Sequence, residues 1–538
     1  MRETTTQREA TMVRETVAVL GAGTMGRGIA QVAAQAGHSV WLYEPSREAL
    51  ERAKTEIGAD LRRQAEKGRL AQAPEVILER ILTTNELSEQ MADAAWVIEA
   101  APENLELKQK LLAHVAQIAP EALLATNTST LPVSAIAAAC PQPERVIGLH
   151  FFNPAQRMRL VEVIPGVRTA PEVTERALEL ARSWGKEPVQ VADLPGFLVN
   201  RVARPFYGEA LRLHGEGIPK EQIDWIVKGL GFPMGPFELM DLIGLDVNLA
   251  ASQSVYQGFF GEPRYRPHPL QAQRVAAGML GRKTGAGWYA YPPGPPPPPE
   301  APKADLEPAP TAFIVGPNPL ARALKQAYKH SENVAEADFV LDCRVLAERK
   351  EDFLEDLPVV TLIWGHSASA VVKSYGDRPV AGFSLVPPLS EKSIAEIYAP
   401  LSGRNQAVEL ARRYFGAHGH RVLELPDQPG GVGFRILALL VNEAVSAVAE
   451  GLAAPADLDR AMRLGTGYPR GPLEWAEAIW LKPVLRALEG LHAELGEDRY
   501  RPHPLLRRMV AAGSESFGGT GNPQTAGAET LATQGGHS

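Results

Sequence analysis

The stretch Val19-Leu-Gly21-Ala-Gly23-Thr24-Met25-Gly26 constrains the fold more than any other part of the chain. The residues before it, Thr16 to Leu20, read as a short apolar strand, and those after it, Gly28 to Ala36, as a helix. A second apolar strand, Ser39 to Tyr43, ends on Glu44. A strand, a Gly-x-Gly-x-x-Gly turn, a helix and an acid closing the next strand make a nucleotide-binding β-α-β unit. Gly21 permits the tight turn, Gly23 lets the backbone approach a pyrophosphate, and Gly26 lets the helix pack closely on the strand. The pyrophosphate is expected over the unpaired N–H groups at the positive end of that helix, with Thr24 and Met25 among the binding residues. Glu44 is placed to accept hydrogen bonds from the adenosine ribose hydroxyls, and its charge repels a 2′-phosphate, which favours NAD over NADP. Arg47 is a counter-argument, because a nearby arginine can receive that phosphate.

At 538 residues the chain is too long for one core and suggests three to five domains. Hydrophobic residues at 45% and charged residues at 22% are those of an ordinary soluble protein. The formal net charge of -8 argues against a nucleic-acid or membrane-surface partner, though an acidic protein can still carry a local basic patch for an anionic ligand such as coenzyme A. Cys140 and Cys343 are the only cysteines, which fits a reducing compartment and leaves no disulfide scaffold or thiolate metal cluster. No uninterrupted run of 18 apolar residues occurs, so no membrane span is expected. Met1 to Arg14 is polar and lacks the apolar core of a secretory signal, so a cytoplasmic location is the expectation.

An internal repeat sets the organisation. Arg264-Tyr-Arg-Pro-His-Pro-Leu270 recurs unchanged as Arg499-Tyr-Arg-Pro-His-Pro-Leu505, an offset of 235. Gly231-Phe-Pro-Met-Gly-Pro-Phe-Glu-Leu239 is answered by Gly467-Tyr-Pro-Arg-Gly-Pro-Leu-Glu-Trp475, and Pro195, Arg201 and Glu209 by Pro429, Arg435 and Glu443. Two copies of a helical unit follow, and packing against each other buries more apolar area than standing alone. The reading is an α/β Rossmann-type domain plus an all-α domain, duplicated in tandem with a degenerate second Rossmann-like half. In order these are a flexible tail (1–13), an NAD-binding domain (14–194), a helical domain (195–291), a Pro-rich linker (292–311), a degenerate α/β domain (312–428), a second helical domain (429–513) and a disordered tail (514–538). Strands in the degenerate domain are expected at Phe339 to Leu341, Val359 to Trp364 and Val380 to Ser384. Its opening, Ile314-Val-Gly316-Pro317-Asn-Pro319, lacks the glycine signature and offers no equivalent pyrophosphate nest.

In the first domain, helices are expected at Arg47 to Lys67 and Leu105 to Ile118, and further strands at Trp96 to Ala100, Leu123 to Thr126 and Arg145 to His150. Counted as third, fourth and fifth, these strands lead into Glu103, into Asn127-Thr-Ser129-Thr130 and into His150-Phe-Phe-Asn153. Parallel sheets bind ligands beyond the carboxyl ends of their strands, so one cleft can collect these clusters. Imidazole can take a hydroxyl proton near neutral pH, which makes His150 the candidate base for an NAD-linked alcohol oxidation; a structural histidine is the alternative. Glu162, between valines on the next apolar run, needs a partner, and facing His150 it would orient the ring and stabilise an imidazolium. Ser129 and Asn153 offer neutral hydrogen bonds to a substrate oxygen or serve as turn formers. Asn200 either points into the cleft or is an ordinary polar helix residue, and Glu103 either closes the site or caps the helix after it.

These residues together resemble the short-chain 3-hydroxyacyl-CoA dehydrogenase family over 14–291. The resemblance rests on Gly21-x-Gly23-x-x-Gly26, Glu99-x-x-x-Glu103-Asn-Leu, Asn127-Thr-Ser129, His150-Phe-Phe-Asn153-Pro154, Val161-Glu162-Val163 and Pro195-Gly-Phe-Leu-Val-Asn200-Arg201. The duplicated form, to about residue 513, is similar to bacterial enzymes of phenylacetate catabolism that oxidise 3-hydroxyadipyl-CoA. The resemblance implies oxidation of an (S)-3-hydroxyacyl-CoA to the 3-oxoacyl-CoA, in fatty-acid or aromatic-acid breakdown, with NAD as acceptor. It gives His150 the role of base, Glu162 that of its orienting acid, and Ser129 and Asn200 contacts with the 3-oxygen. Asn153 would support the histidine, and Glu103 and Asn127 would belong to the cofactor region. The family's coenzyme A contacts include basic residues on the helical excursion after the second strand, and none of Lys54, Arg62 and Lys67 is assigned to them. The second copy departs from this pattern: Phe434 stands in the place of Asn200, and no His-Phe-Phe-Asn-Pro occurs, so one active site per chain is expected. The family pairs its helical domains between subunits, and here the second copy would supply that partner within the chain, with further dimerisation left open.

Overall fold

The structure, a computed structural model, describes residues 15–292, 308–345 and 356–517. The tail read at 1–13, most of the Pro-rich linker and residues 518–538 lie outside them. The chain divides into two compact units, one ending at Phe197 and the other beginning at Leu198.

The first unit is built on an eight-stranded sheet of β1 (Thr16–Leu20), β2 (Ser39–Tyr43), β3 (Ile81–Thr84), β4 (Ala94–Glu99), β5 (Leu123–Thr126), β6 (Val146–Phe151), β7 (Leu160–Pro165) and β8 (Glu187–Gln190). The order is β3-β2-β1-β4-β5-β6-β7-β8, parallel except for the β6–β7 pair. Alternation along each strand feeds two cores. Val17, Val19 and Ile98 meet the helices Thr24–Gln35, Arg47–Glu66 and Pro171–Ser183 on one face. Ala18, Leu20, Val97 and Leu124 meet Leu105–Ile118 and Val133–Ala137 on the other. Two expectations need correction. The first helix begins at Thr24, not Gly28, because the turn made by Gly21 leads directly into it and Gly26 packs inside it. The strand counted third is the fourth: Ile81–Thr84 pairs with β2, and its four residues are too short to alternate visibly.

The second unit joins a six-stranded sheet to both helical copies. Its strands are β9 (Ala312–Val315), β10 (Phe339–Asp342), β11 (Val359–Leu362), β12 (Val380–Ser384), β13 (Ile394–Tyr398) and β14 (Arg421–Leu425), in the sequential order β9 to β14. β11 ends at Leu362, short of the expected Trp364. The sheet matches β1 and β4 to β8 of the first, including the antiparallel β12–β13 pair, and its β9–β10 connection replaces the excursion that forms β2 and β3.

The two helical copies lock together through reciprocal ion pairs. Arg201 of the first donates to Glu443 at 2.7 Å and to both oxygens of Glu450 at 2.8 Å. Arg435 of the second donates to Glu209 and to both oxygens of Glu216 at 3.0 Å. The unchanged seven-residue repeat serves the same joint: Tyr265 donates to Glu443 at 2.6 Å and Tyr500 to Glu209 at 2.9 Å, while His268 and His503 each cap the helix that follows. Both arginines are fully buried; burial alone would lower the Arg201 pKa, and the Glu443 carboxylate overrides that and raises it. The helix Val432–Ala449 runs through the middle of this joint. By length and mean hydropathy of 1.7 it could cross a membrane, but 94% of it is buried inside the unit, and Arg435 and Glu443 interrupt its apolar run.

Removing one member of a buried pair strands the other, at a cost of about 3–5 kcal/mol. Arg435→Met should therefore lower the unfolding midpoint of the helical unit in urea, and adding Glu209→Gln should restore part of the loss. An unchanged midpoint in the single variant would mean the joint does not depend on these pairs.

Candidate active site

The nucleotide end of the first sheet is shaped by what its glycines lack. Gly21 has φ +105°, and a Cβ there would meet the Ala100 carbonyl oxygen at 2.8 Å. A Cβ on Gly26 would overlap the Gly21 carbonyl, while one on Gly23 would meet nothing within 4 Å. The open side therefore lies at Gly23, the first residue ahead of the helix, where no side chain caps the N–H groups that continue through Thr24 and Met25. Glu44 accepts the Ala22 N–H at 3.1 Å, which places its carboxylate at the end of β2 against the glycine loop. An uncapped helix start with an acid beside it suits a dinucleotide diphosphate and an unphosphorylated ribose.

Beyond β4 and β5 a polar network fixes the neighbouring loops. Glu99 is fully buried and accepts from Lys108 Nζ at 2.8 and 3.1 Å, from Thr126 Oγ1 at 2.6 Å and from the Ala101 N–H at 2.6 Å. Lys108, 1% exposed, also donates to the Ala101 carbonyl at 3.0 Å and lies 3.3 Å from Glu103. Glu103 accepts from Thr128 Oγ1 at 2.7 Å, from the Ser129 and Thr130 N–H groups at 2.9 Å and from Thr130 Oγ1 at 2.8 Å. Burial would raise its pKa, and the Lys108 charge with these donors overrides burial and lowers it. Glu103 does not cap the next helix. Asn104 does, accepting from the Leu107 N–H at 2.9 Å. Asn127 accepts the Phe151 N–H at 2.8 Å through its side chain and so ties the end of β5 to the end of β6.

His150 and Glu162 face each other across the antiparallel β6–β7 pair. His150 Nδ1 lies 2.6 Å from Glu162 Oε2, with the acid fully buried and the histidine 7% exposed. A carboxylate there takes the Nδ1 proton as a hydrogen bond, leaving Nε2 as the proton acceptor. The ring packs beside Phe152 and Phe197, at 4.6 and 6.0 Å between centroids. Asn153 follows on the exposed loop after β6, and Ser129 sits partly exposed on the loop that Glu103 holds. In the first unit, then, Glu44 meets the glycine loop, Glu103 meets Ser129, Asn127 meets Phe151, and His150 meets Glu162. Asn200 belongs to the second unit, in the helix Val199–Val202. Beside the helix Arg47–Glu66 lies a cleft of about 410 Å³ lined by Arg27, Arg63 and Arg157, each already paired with a carboxylate, Glu56 or Asp60.

Three residues given no role from sequence also shape the site. Lys108, bonded to Glu99 and to the Ala101 carbonyl, holds the loops after β4 and β5. Asp193 accepts the Val133 and Ser134 N–H groups at 2.9 and 2.8 Å, anchoring the helix beyond Ser129. Lys186 donates to the Ala155 and Met158 carbonyls at 2.6 and 2.8 Å in the loop between the dyad strands, and burial lowers its pKa to about 8.

Residues 16–194 match the family described as 3-hydroxyacyl-CoA dehydrogenase, NAD binding domain, and residues 196–291 and 430–518 match its C-terminal domain. The chain belongs to the 3-hydroxyacyl-CoA dehydrogenase family. It is 41% identical over 510 residues to 3-hydroxyadipyl-CoA dehydrogenase of Escherichia coli K12, covering 93% of this chain and 99% of that one. A crystal structure of 3-hydroxybutyryl-CoA dehydrogenase from Escherichia coli K12 covers the same shares at 39% identity, with a TM-score of 0.77. The 3-hydroxybutyryl-CoA dehydrogenase of Clostridioides difficile matches over 279 residues at 40% identity, 51% of this chain and 99% of its own length. The chain is therefore an enzyme with NAD as cofactor, an NAD-dependent 3-hydroxyacyl-CoA dehydrogenase. The Clostridioides difficile relative accounts for half of it, and the Escherichia coli relative for nearly all.

Glu44→Ala should raise the ratio of NADP to NAD affinity about tenfold or more, since like-charge juxtaposition costs several kcal/mol and about 1.4 kcal/mol is a factor of ten. Titration of both cofactors against the variant measures this, and an unmoved ratio would remove Glu44 from cofactor selection.

Proposed function

We propose that this dehydrogenase oxidises (S)-3-hydroxyadipyl-CoA in aromatic-acid breakdown in the cytoplasm, with His150 as its catalytic base. The acyl assignment is supported by likeness along the whole duplicated chain to a relative named for 3-hydroxyadipyl-CoA. 3-Hydroxybutyryl-CoA is the second reading, because the similar solved structure carries that substrate's name over an equal share of the chain.

The base assignment is carried by one observation, the 2.6 Å bond between His150 Nδ1 and the buried Glu162 carboxylate. His150 takes the C3 hydroxyl proton at Nε2, and Glu162 stabilises the imidazolium that results. NAD, held by Gly21, Gly23, Thr24, Met25, Gly26 and Glu44, supplies the hydride acceptor when bound. Ser129 and Asn200 donate to the 3-oxygen, Asn153 supports the histidine, and Glu103 and Asn127 keep the loops of the cofactor region in place. A relative acting on a free β-hydroxyacid would be expected to use a lysine as its catalytic group, which the His150–Glu162 pair argues against.

With acetoacetyl-CoA and NADH, His150→Gln should lower kcat by about 10²–10⁴-fold, the usual worth of a general base, while NADH affinity stays the same. Unchanged turnover would remove His150 from the mechanism. Steady-state rates on 3-hydroxyadipyl-CoA and 3-hydroxybutyryl-CoA, measured side by side, should favour the adipyl substrate in kcat/KM. Equal efficiency on the two would defeat the adipyl assignment.

A further inference from the structure

The second sheet repeats the first residue by residue where the first carries its dyad. Thr126 of β5 registers with Gly148 of β6, and His150 with Glu162 of β7. Thr361 of β11 registers with Gly382 of β12, and Ser384 with Glu396 of β13. Asp193 accepts the Val133 and Ser134 N–H groups, and Asp427 accepts those of Ala368 and Ser369 at 2.7 and 3.0 Å. Four equivalences follow from this register and from the repeated Pro-Gly. Trp364 stands for Ser129, Ser384 for His150, Glu396 for Glu162 and Phe434 for Asn200. Only the acid is kept.

Each of the four now has a packing environment in place of an opening. Trp364 and Phe434, buried to 2% and 0% exposure, stack with centroids 3.9 Å apart and planes 11° from parallel. At Gly365 the helix Leu481–Leu495 comes so close that a Cβ would meet the Ala487 carbonyl oxygen at 2.7 Å. Ser384 Oγ is buried with no hydrogen-bond partner. Glu396 has no imidazole opposite it and accepts instead from the Val432 N–H at 2.6 Å, the Gly433 N–H at 3.0 Å and the Tyr398 hydroxyl at 2.5 Å. Val432 and Gly433 open the helix Val432–Ala449, so the acid now caps that helix. Further along, the same helix carries Glu443, which with Glu450 just past its end holds Arg201, the neighbour of Asn200.

We infer that the second half is a former active site rebuilt as an anchor, in which Glu396 is a positioning residue. With the Trp364–Phe434 stack it fixes the helix Val432–Ala449 and, through Arg201, the turn that carries Asn200. The last step rests on the role proposed for Asn200; the anchor itself does not.

The test uses the full chain and three variants, Ser384→Ala, Glu396→Gln and Glu396→Ala. Melting midpoint, NADH affinity, and kcat and KM for acetoacetyl-CoA are measured for each. Ser384→Ala should leave kcat within twofold and raise the midpoint, because it removes a buried hydroxyl with no partner. Glu396→Ala should lower the midpoint and reduce kcat about tenfold at unchanged NADH affinity, and Glu396→Gln, which keeps one acceptor oxygen, should fall between. If Glu396→Ala does not fold, the Gln variant decides. A tenfold loss of turnover in Ser384→Ala would make the second half a working site and overturn the inference. A lowered midpoint with unchanged kcat in the Glu396 variants overturns the positioning step, and no change in either overturns the anchor. Full turnover in His150→Gln would defeat the proposed base instead, and would leave the anchor as it is.

Discussion

A carboxylate taken out of water must be met by donors, and a few such carboxylates set the geometry of this chain. Left unpaired, each would cost several kcal/mol, so the surrounding backbone and cations are placed to satisfy it. Glu99 at the end of β4 draws in Lys108, Lys108 reaches Glu103, and Glu103 holds the Thr128–Thr130 loop. The position of Ser129 is thus a consequence of one buried acid 30 residues earlier in the chain. Glu162 orients the only imidazole opposite it across β6 and β7, and Glu209 and Glu443 fix the pairing of the helical copies.

The two halves differ most at the end of the sheet where the first carries its glycine signature. Among the described residues the second sheet has no counterpart of β2, and so no strand end on which to place a residue like Glu44. Its first turn, at Gly316, is followed by Pro317 and Pro319, which carry no N–H to offer a diphosphate. Asn318 between them spends its side chain on the Cys343 carbonyl and on capping the helix Pro319–Ala327. At the positions equivalent to Ser129 and Asn200 the second half carries Trp364 and Phe434. Aromatic rings at those positions then gain buried area without a functional cost.

Much of the first site was legible because its signals are local. The glycine signature, Glu44 after a short strand, and a charged residue among valines at Glu162 are each readable within a few residues of the chain. Lys108 was not, since a lysine on the helix Leu105–Ile118 looks like an ordinary solvent-facing residue until Glu99 is found beneath it. The role of Asn104 as cap, in place of Glu103, turns on one residue of register that pattern alone does not resolve. The Trp364–Phe434 stack joins residues 70 apart, and neither carries a local sign of the other. The repeat was visible as identity, but its reason was not: Tyr265 and Tyr500 recur because each serves a carboxylate of the opposite copy.

That reciprocity explains which residues the duplication could change. In a symmetric pair of identical subunits every residue at the joint acts twice, and a substitution in the site damages both sites at once. Tandem copies in one chain separate the two demands. Arg201 and Arg435, Glu209 and Glu443, Glu216 and Glu450, and Tyr265 and Tyr500 stay the same residue in both copies because the joint uses each pair crosswise. Asn200 and Phe434 lie at matching positions but have no such crosswise duty, so one was free to change. The duplicated half therefore keeps the residues that hold its partner and gives up those that would have faced a substrate.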